Sequence, residues 1–341
     1  MAKMFFDDDA DLKYLQDRTI GIIGYGNQGQ AQGLNLRDSG AHIIVGNVSD
    51  DSADAAKADG FEVYSITVAA QKADILFLLI PDEFLPKVYS DHIAPYLRPN
   101  MVLNFASGYN IAFKCITPPP QVDVILVAPR MIGKGVRDTF LRGTGFPSLL
   151  AVHQDASGNA LAIALALAKG IGSTHMGAVL SSFEEEAIID LFSEQSGDLY
   201  FPRLMFETLV ESGFDPDVVL LELYASGEMS EIYAAARDMG LWGQLKLHSR
   251  TSQYGQQITS QMFSNPGAVK DSLRQVVEHI RSGEFSREWT REQESGFVNL
   301  LKVTNENLQH PMQKAENRLY RLLGRRDKDL DSADWLQVKE E

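Results

Sequence analysis

The feature that most constrains this chain is Gly24-Tyr25-Gly26-Asn27-Gln28-Gly29, set between an apolar run at residues 19–23 and a helical stretch at 30–39. A GxGxxG string on its own is common, but between a strand and a helix it specifies the first turn of a dinucleotide-binding unit. Each glycine has its own reason. Gly24 permits the tight turn, Gly26 lets the backbone approach a pyrophosphate, and Gly29 allows close helix–strand packing. The helix N-terminus then offers unpaired N–H groups to the phosphates. Further apolar runs follow at 42–45, 75–80, 102–105, 122–127 and 148–152, and punctuation such as Gly46-Asn47, Pro81-Asp82, Ser107-Gly108 and Ala128-Pro129 closes most of them. The alternation predicts an α/β Rossmann domain over residues 1–182, with a doubly wound, mainly parallel sheet. Ligands of such sheets lie at the C-terminal strand ends. The cofactor-binding candidates are therefore Gly24, Tyr25, Gly26, Asn27, Gln28 and Gly29, with Asn47, Ser49, Asp50, Pro81 and Asp82 on neighbouring turns.

Cofactor choice is decided after the second run, where Asn47-Val48-Ser49-Asp50-Asp51-Ser52 carries two carboxylates and no arginine. An Asp accepting the ribose hydroxyls favours NADH over NADPH. Asp50 and Asp51 equally suit the N-terminal cap of the next helix. NADH or NADPH is expected, with NADH favoured. Lys+Arg 31 against Asp+Glu 46 leaves a net charge of −15, which argues against nucleic acid or an anionic membrane as partner. An anionic substrate is then held by local donors or a metal. One cysteine, Cys115, cannot form an internal disulfide, and the acidic first residues are unlike a secretion signal, so a cytoplasmic location is expected. No apolar run approaches the roughly 20 residues of a membrane helix. Beyond residue 183 the texture becomes helical, predicting an all-α domain over 183–328 and a charged, frayed tail over 329–341. Within it Asp190 and Glu194 are four apart, so both carboxylates leave one helix face, a donor set suited to Mg²⁺. The preceding Glu184, Glu185 and Glu186 read as a cluster complementing the helix dipole.

Several stretches together resemble the short form of ketol-acid reductoisomerase over nearly the whole chain. They are the glycine turn with its continuation Gln30-Ala-Gln-Gly-Leu-Asn-Leu-Arg-Asp-Ser-Gly40, then Pro81-Asp-Glu, Asp190-Leu-Phe-Ser-Glu-Gln195, and Phe206-Glu-Thr-Leu-Val-Glu-Ser-Gly213. The resemblance implies a Rossmann domain followed by a knotted helical domain. It implies NAD(P)H and two Mg²⁺, used to rearrange and reduce acetohydroxy acids in branched-chain amino-acid synthesis. Asp190 and Glu194 match the first metal motif. In the second, Glu222 matches the first glutamate, while the other position falls on Ser226 unless an insertion brings Glu228 into place. Ser249 matches a serine that hydrogen-bonds the substrate carboxylate. The resemblance also implies a homodimer with shared active sites, Glu222 and Ser249 acting across the interface.

Two positions depart from the family pattern. Ser107 stands where members carry histidine, and a hydroxyl does not buffer a proton near neutral pH. Arg130 stands where members carry lysine, and its planar fork is permanently charged. The expected function is therefore an NAD(P)H-dependent reductase on this scaffold, reducing the C=O or C=N of a small 2-oxo or imino acid. Asp190, Glu194, Arg130 and Ser107 form its reacting centre, with Arg130 pairing the substrate carboxylate. The alternatives are a genuine Mg²⁺-dependent ketol-acid reductoisomerase and a nucleotide-binding scaffold without catalysis.

Overall fold

The computed structural model describes residues 2–196, 199–258 and 266–336. They form two compact units, residues 1–190 and 191–341.

The first unit is built on one nine-stranded sheet. Its strands are β1 (Met4–Phe5), β2 (Thr19–Ile23), β3 (His42–Gly46), β4 (Glu62–Tyr64), β5 (Ile75–Leu78), β6 (Val102–Phe105), β7 (Asp123–Pro129), β8 (Ser148–Gln154) and β9 (Ala178–Leu180). In space the order is β1-β9-β8-β7-β6-β5-β2-β3-β4. The helices used below are α1 (Asn27–Asp38), α2 (Asp51–Ala58), α3 (Ile66–Lys72), α4 (Leu85–Val88), α5 (Tyr109–Ala112), α6 (Gly133–Leu141), α7 (Ala160–Ile171) and α8 (Phe183–Gln195). All six expected strands are present, and from β4 through β7 the sheet is parallel. Every residue of β5, β6 and β7 is buried, as a sheet covered on both faces requires. Alternate side chains divide between two cores: Ile20, Ile22 and Phe77 pack with Leu36 of α1 and Leu167 of α7, whereas Ile23, Leu76 and Leu78 pack with Ala69 and Ala70 of α3.

The sheet departs from a purely parallel one at β8, which runs antiparallel to β7 with Ser148 opposite Pro129. The chain leaves β7, forms α6 and re-enters beside the same strand end, so β8 can only run back. Two strands, β1 and β4, escape a reading by pattern because two or three residues display no alternation.

The second unit is helical: α9 (Tyr200–Glu211), α10 (Pro216–Leu220), α11 (Glu228–Met239), α12 (Arg250–Ile258), α13 (Pro266–Arg281), α14 (Glu284–Glu294), α15 (Val298–Leu308) and α16 (Pro311–Leu322). Its main buried cluster is small, consisting of Phe206, Val219, Leu220, Ala225, Ala315 and Leu319. The start of the expected frayed tail is instead tied down. Asn317 donates to the Leu330 carbonyl and accepts from its N–H, both at 3.1 Å, and Ala333 is buried. These bonds offset the entropy that charge alone would favour; residues 337–341 lie outside the described residues. Among the described residues, no helix is long and apolar enough to cross a membrane.

Candidate active site and dinucleotide cradle

The glycine turn has the geometry its sequence demands. Gly24 holds φ +92°, where a Cβ would come within 2.6 Å of Ile80 Cγ2, and a Cβ on Gly29 would stand 2.0 Å from the Gly24 carbonyl oxygen. At Gly26 a Cβ would meet nothing within 4 Å, so open space lies against the backbone just where α1 begins. A pyrophosphate needs that opening and the N–H groups beside it. Tyr25, a cofactor candidate, turns its ring into the core, edge-on to Phe61 at 5.6 Å, with its hydroxyl on Asp59 at 2.9 Å. That assignment is corrected for the side chain: a buried phenol with a satisfied hydroxyl is packing, and burial beside Asp59 raises its pKa far above the ordinary value. Gln28 Nε2 donates 2.9 Å to the Met131 carbonyl, lashing the turn to the loop after β7.

Beyond the turn, Asn47, Val48, Ser49, Lys57, Tyr64, Thr67 and His92 line a cavity of about 470 Å³ at the ends of β3 and β4. Asn47 Oδ1 accepts from the Tyr25 N–H at 3.1 Å, and its amide donates to Asp50 Oδ1 at 2.8 Å. The same Asp50 oxygen caps α2 through the Ala53 N–H at 2.9 Å. Capping is thus part of what Asp50 does.

The next strand ends hold two polar groups of neighbours. After β5, Pro81 is exposed and its carbonyl accepts from Phe84 and Leu85. Asp82 is half-buried and accepts from Ser107 Oγ at 3.0 Å and from Asn110 Nδ2 at 2.7 Å. Its side chain is engaged across the β5–β6 edge rather than by the glycine turn. Burial is the largest influence on it and raises its pKa to about 6.

After β7, Arg130 donates through Nη2 to Glu186 at 2.7 Å and through Nη1 to Asp190 at 2.8 Å. The fork expected to meet a substrate carboxylate is occupied by two carboxylates of α8, and its buried Nε finds no partner among the described residues. Glu186 is 1% exposed and also accepts the Gly108 N–H at 2.6 Å. Desolvation raises its pKa, against the pull of Gly108 and Arg130. Glu186 does lie in the acidic first turn with Glu184 and Glu185, where Ser182 Oγ caps the helix through the Glu185 N–H at 3.0 Å, but it faces inward and pairs as well. The signal was present: residues 186, 190 and 194 share one helix face.

In the helical unit, Glu222 lies in a π-helical turn, Leu221–Ala225, and is exposed, as is Ser226. Gly227 at φ +91° breaks the helix, so the exposed Glu228 opens α11, a separate element. Ser249 Oγ accepts from the Ser252 N–H at 3.2 Å, capping α12.

The Mg²⁺ that the resemblance implies finds hard oxygens on α8, where Asp190 and Glu194 share a face. Mg²⁺ takes one or two carboxylates and keeps several waters, so this donor set fits. Among the described residues, no three His, Cys, Asp or Glu side chains gather as a complete site.

Comparison with known proteins agrees with this architecture. Residues 14–177 match the acetohydroxy acid isomeroreductase NADPH-binding domain, and residues 183–324 the ketol-acid reductoisomerase C-terminal domain. A ketol-acid reductoisomerase (NADP(+)) of Methanopyrus kandleri is 43% identical, covering 96% of this chain and 100% of its own. One from Pyrococcus abyssi is 40% identical, covering 95% and 98%. The structure of an NADH-preferring ketol-acid reductoisomerase from an uncultured archean superposes with a TM-score of 0.88 at 35% identity, over 94% of this chain and 99% of that one. Matched along both domains by sequence and by fold, the chain belongs to the ketol-acid reductoisomerase family.

Proposed function

We propose that this chain is an NAD(P)H-dependent ketol-acid reductoisomerase, converting an acetohydroxy acid to the dihydroxy acid of branched-chain amino-acid synthesis, with NADH favoured. The observation that carries the reading is the Gln28–Met131 tie, which sets the open glycine turn beside the loop bearing Arg130. When bound, the nicotinamide supplies a hydride, and Mg²⁺ on Asp190 and Glu194 polarises the substrate oxygens. The chain's own residues do the rest. Gly26 and the first N–H groups of α1 take the pyrophosphate, and Arg130 holds Asp190 and Glu186 in place with a permanent charge. Glu222, Glu228 and Ser249 are assigned to the substrate and metal side. NADH is favoured by Asp50 and Asp51, which follow the cavity-lining Ser49 in the chain, and by the pairing of the cavity-lining Lys57 with Asp54 at 2.8 Å.

A homodimer with shared sites and a knotted helical domain belong to the same reading. Support for association comes from exposed apolar residues of the helical unit, among them Leu199, Trp242, Leu247 and Tyr254. A cytoplasmic location agrees with a single cysteine. A reductase limited to 2-oxo or imino acids is the second reading, favoured by Ser107 and Ser226 in place of stronger groups. Incubation with acetolactate, Mg²⁺ and either NADH or NADPH separates the two. Formation of the dihydroxy acid, with the larger kcat/KM for NADH, is expected; reduction of simple oxo or imino acids alone would select the second.

A further inference from the structure

Asp82 is a titratable group at the C-terminal strand edge that the glycine turn and the Arg130 cluster both leave unused. It follows β5 as Ser107 follows β6, and these neighbouring parallel strands bring the two side by side. Ser107 Oγ donates to Asp82 Oδ2 at 3.0 Å. Asn110 Nδ2 holds the other carboxylate oxygen at 2.7 Å and reaches the Asp82 carbonyl at 3.2 Å. The Tyr109 N–H, at 3.3 Å from Ser107 Oγ, steadies the hydroxyl from its own helix. A serine oriented in this way toward a fixed carboxylate has a lone pair left for an incoming proton.

We propose that Ser107 and Asp82 form a coupled proton acceptor for the acetohydroxy acid, Ser107 touching the substrate hydroxyl and Asp82 positioned behind it. The inference rests on the ketol-acid reading above. The substrate O–H bond breaks and a bond from that proton to Ser107 Oγ forms. The original Ser107 proton passes to Asp82 Oδ2, leaving a substrate alkoxide and a neutral carboxylic acid, with nothing oxidised or reduced. Asp82 later returns its proton to water.

Burial lifts Asp82 to about 6; Ser107 and Asn110 pull it down, while Glu83 on its own turn and Asp190 on α8 push it up. The carboxylate is then ionised at neutral pH yet basic enough to take a proton.

Asp82→Asn and Ser107→Ala test the pair, each assayed with acetolactate, NADH and Mg²⁺ across pH 5 to pH 9. For both, kcat is expected to fall roughly 100-fold while KM for acetolactate stays within about threefold. An acidic limb of the unaltered enzyme should vanish in Asp82→Asn. NADH affinity, read by fluorescence titration, should persist in both variants. Full kcat in either variant overturns the proposal, as does an acidic limb that survives in Asp82→Asn. Loss of NADH affinity in step with rate overturns it too, since Asp82 would then serve the cofactor. No turnover of acetolactate by the unaltered enzyme would topple the ketol-acid reading and this one with it. Normal turnover with indifferent variants removes only the proton pair.

Discussion

The sheet unit and the helical unit solve the problem of stability differently. In the first, β5, β6 and β7 are buried at every position and two separate cores line the sheet faces. In the second, among the described residues, the main cluster is six buried side chains drawn from α9, α10, the turn that follows it and α16, and Leu199 and Trp242 stand 85% and 77% exposed. Burying apolar area stabilises by roughly 25 cal/mol per Å². The sheet unit therefore meets its ordering entropy from within, while the helical unit leaves large apolar side chains exposed.

The largest test of this contrast lies within the sheet unit. Arg130→Met leaves Glu186 buried without its cation, and unpairing a buried charge costs about 3–5 kcal/mol. Urea unfolding should show that loss at any protein concentration; an unchanged midpoint would mean that Glu186 is stabilised by Gly108 alone. Next comes a change of opposite sign. Asp82 has its folded pKa raised to about 6, above the unfolded value, so its contribution is fully present below about pH 4 and is lost as pH rises through 6. Asp82→Asn should therefore stabilise at neutral pH by up to about 3 kcal/mol, with the gain vanishing at pH 4. A gain that is flat with pH would contradict the burial of this carboxylate.

Smaller effects are expected in the helical unit. Trp242→Glu should weaken self-association at least about tenfold, near 1.4 kcal/mol, as sedimentation would measure. Within an isolated unit a substitution this exposed shifts stability by less than about 0.5 kcal/mol. Smallest of all, dilution should lower the thermal midpoint by a few degrees through mass action alone. A concentration-independent midpoint would say that the helical unit stands by itself.

How legible each region was follows the same division. The six long strands showed in the sequence because full burial makes them continuous apolar runs, and the glycine turn showed because its sterics admit only glycine at Gly24 and Gly29. Antiparallel β8 did not show, because strand direction follows from where α6 returns the chain rather than from β8's own residues. At the site, Arg130 was recognised as unusual, but its fork was assigned to substrate because its carboxylates lie more than fifty residues away on α8. Glu186 was hidden among adjacent glutamates, one of which lies beside the helix cap. The inward turn of the Tyr25 ring was not legible beside the glycines, since sequence order does not say which way a side chain points. Ser107 was noted as a loss of imidazole; its partnership with Asp82 needs two strands in register.

Asp50 closes the N-terminus of α2 and follows directly in the chain on Ser49, which lines the cavity beyond the glycine turn. Anyone retuning this enzyme between the two nicotinamide currencies therefore inherits a constraint: replacing that aspartate to admit a phosphate also loosens a helix. The exposed Val48 and its neighbour Ser49 line the same hollow without bearing that duty, and they are the places to begin.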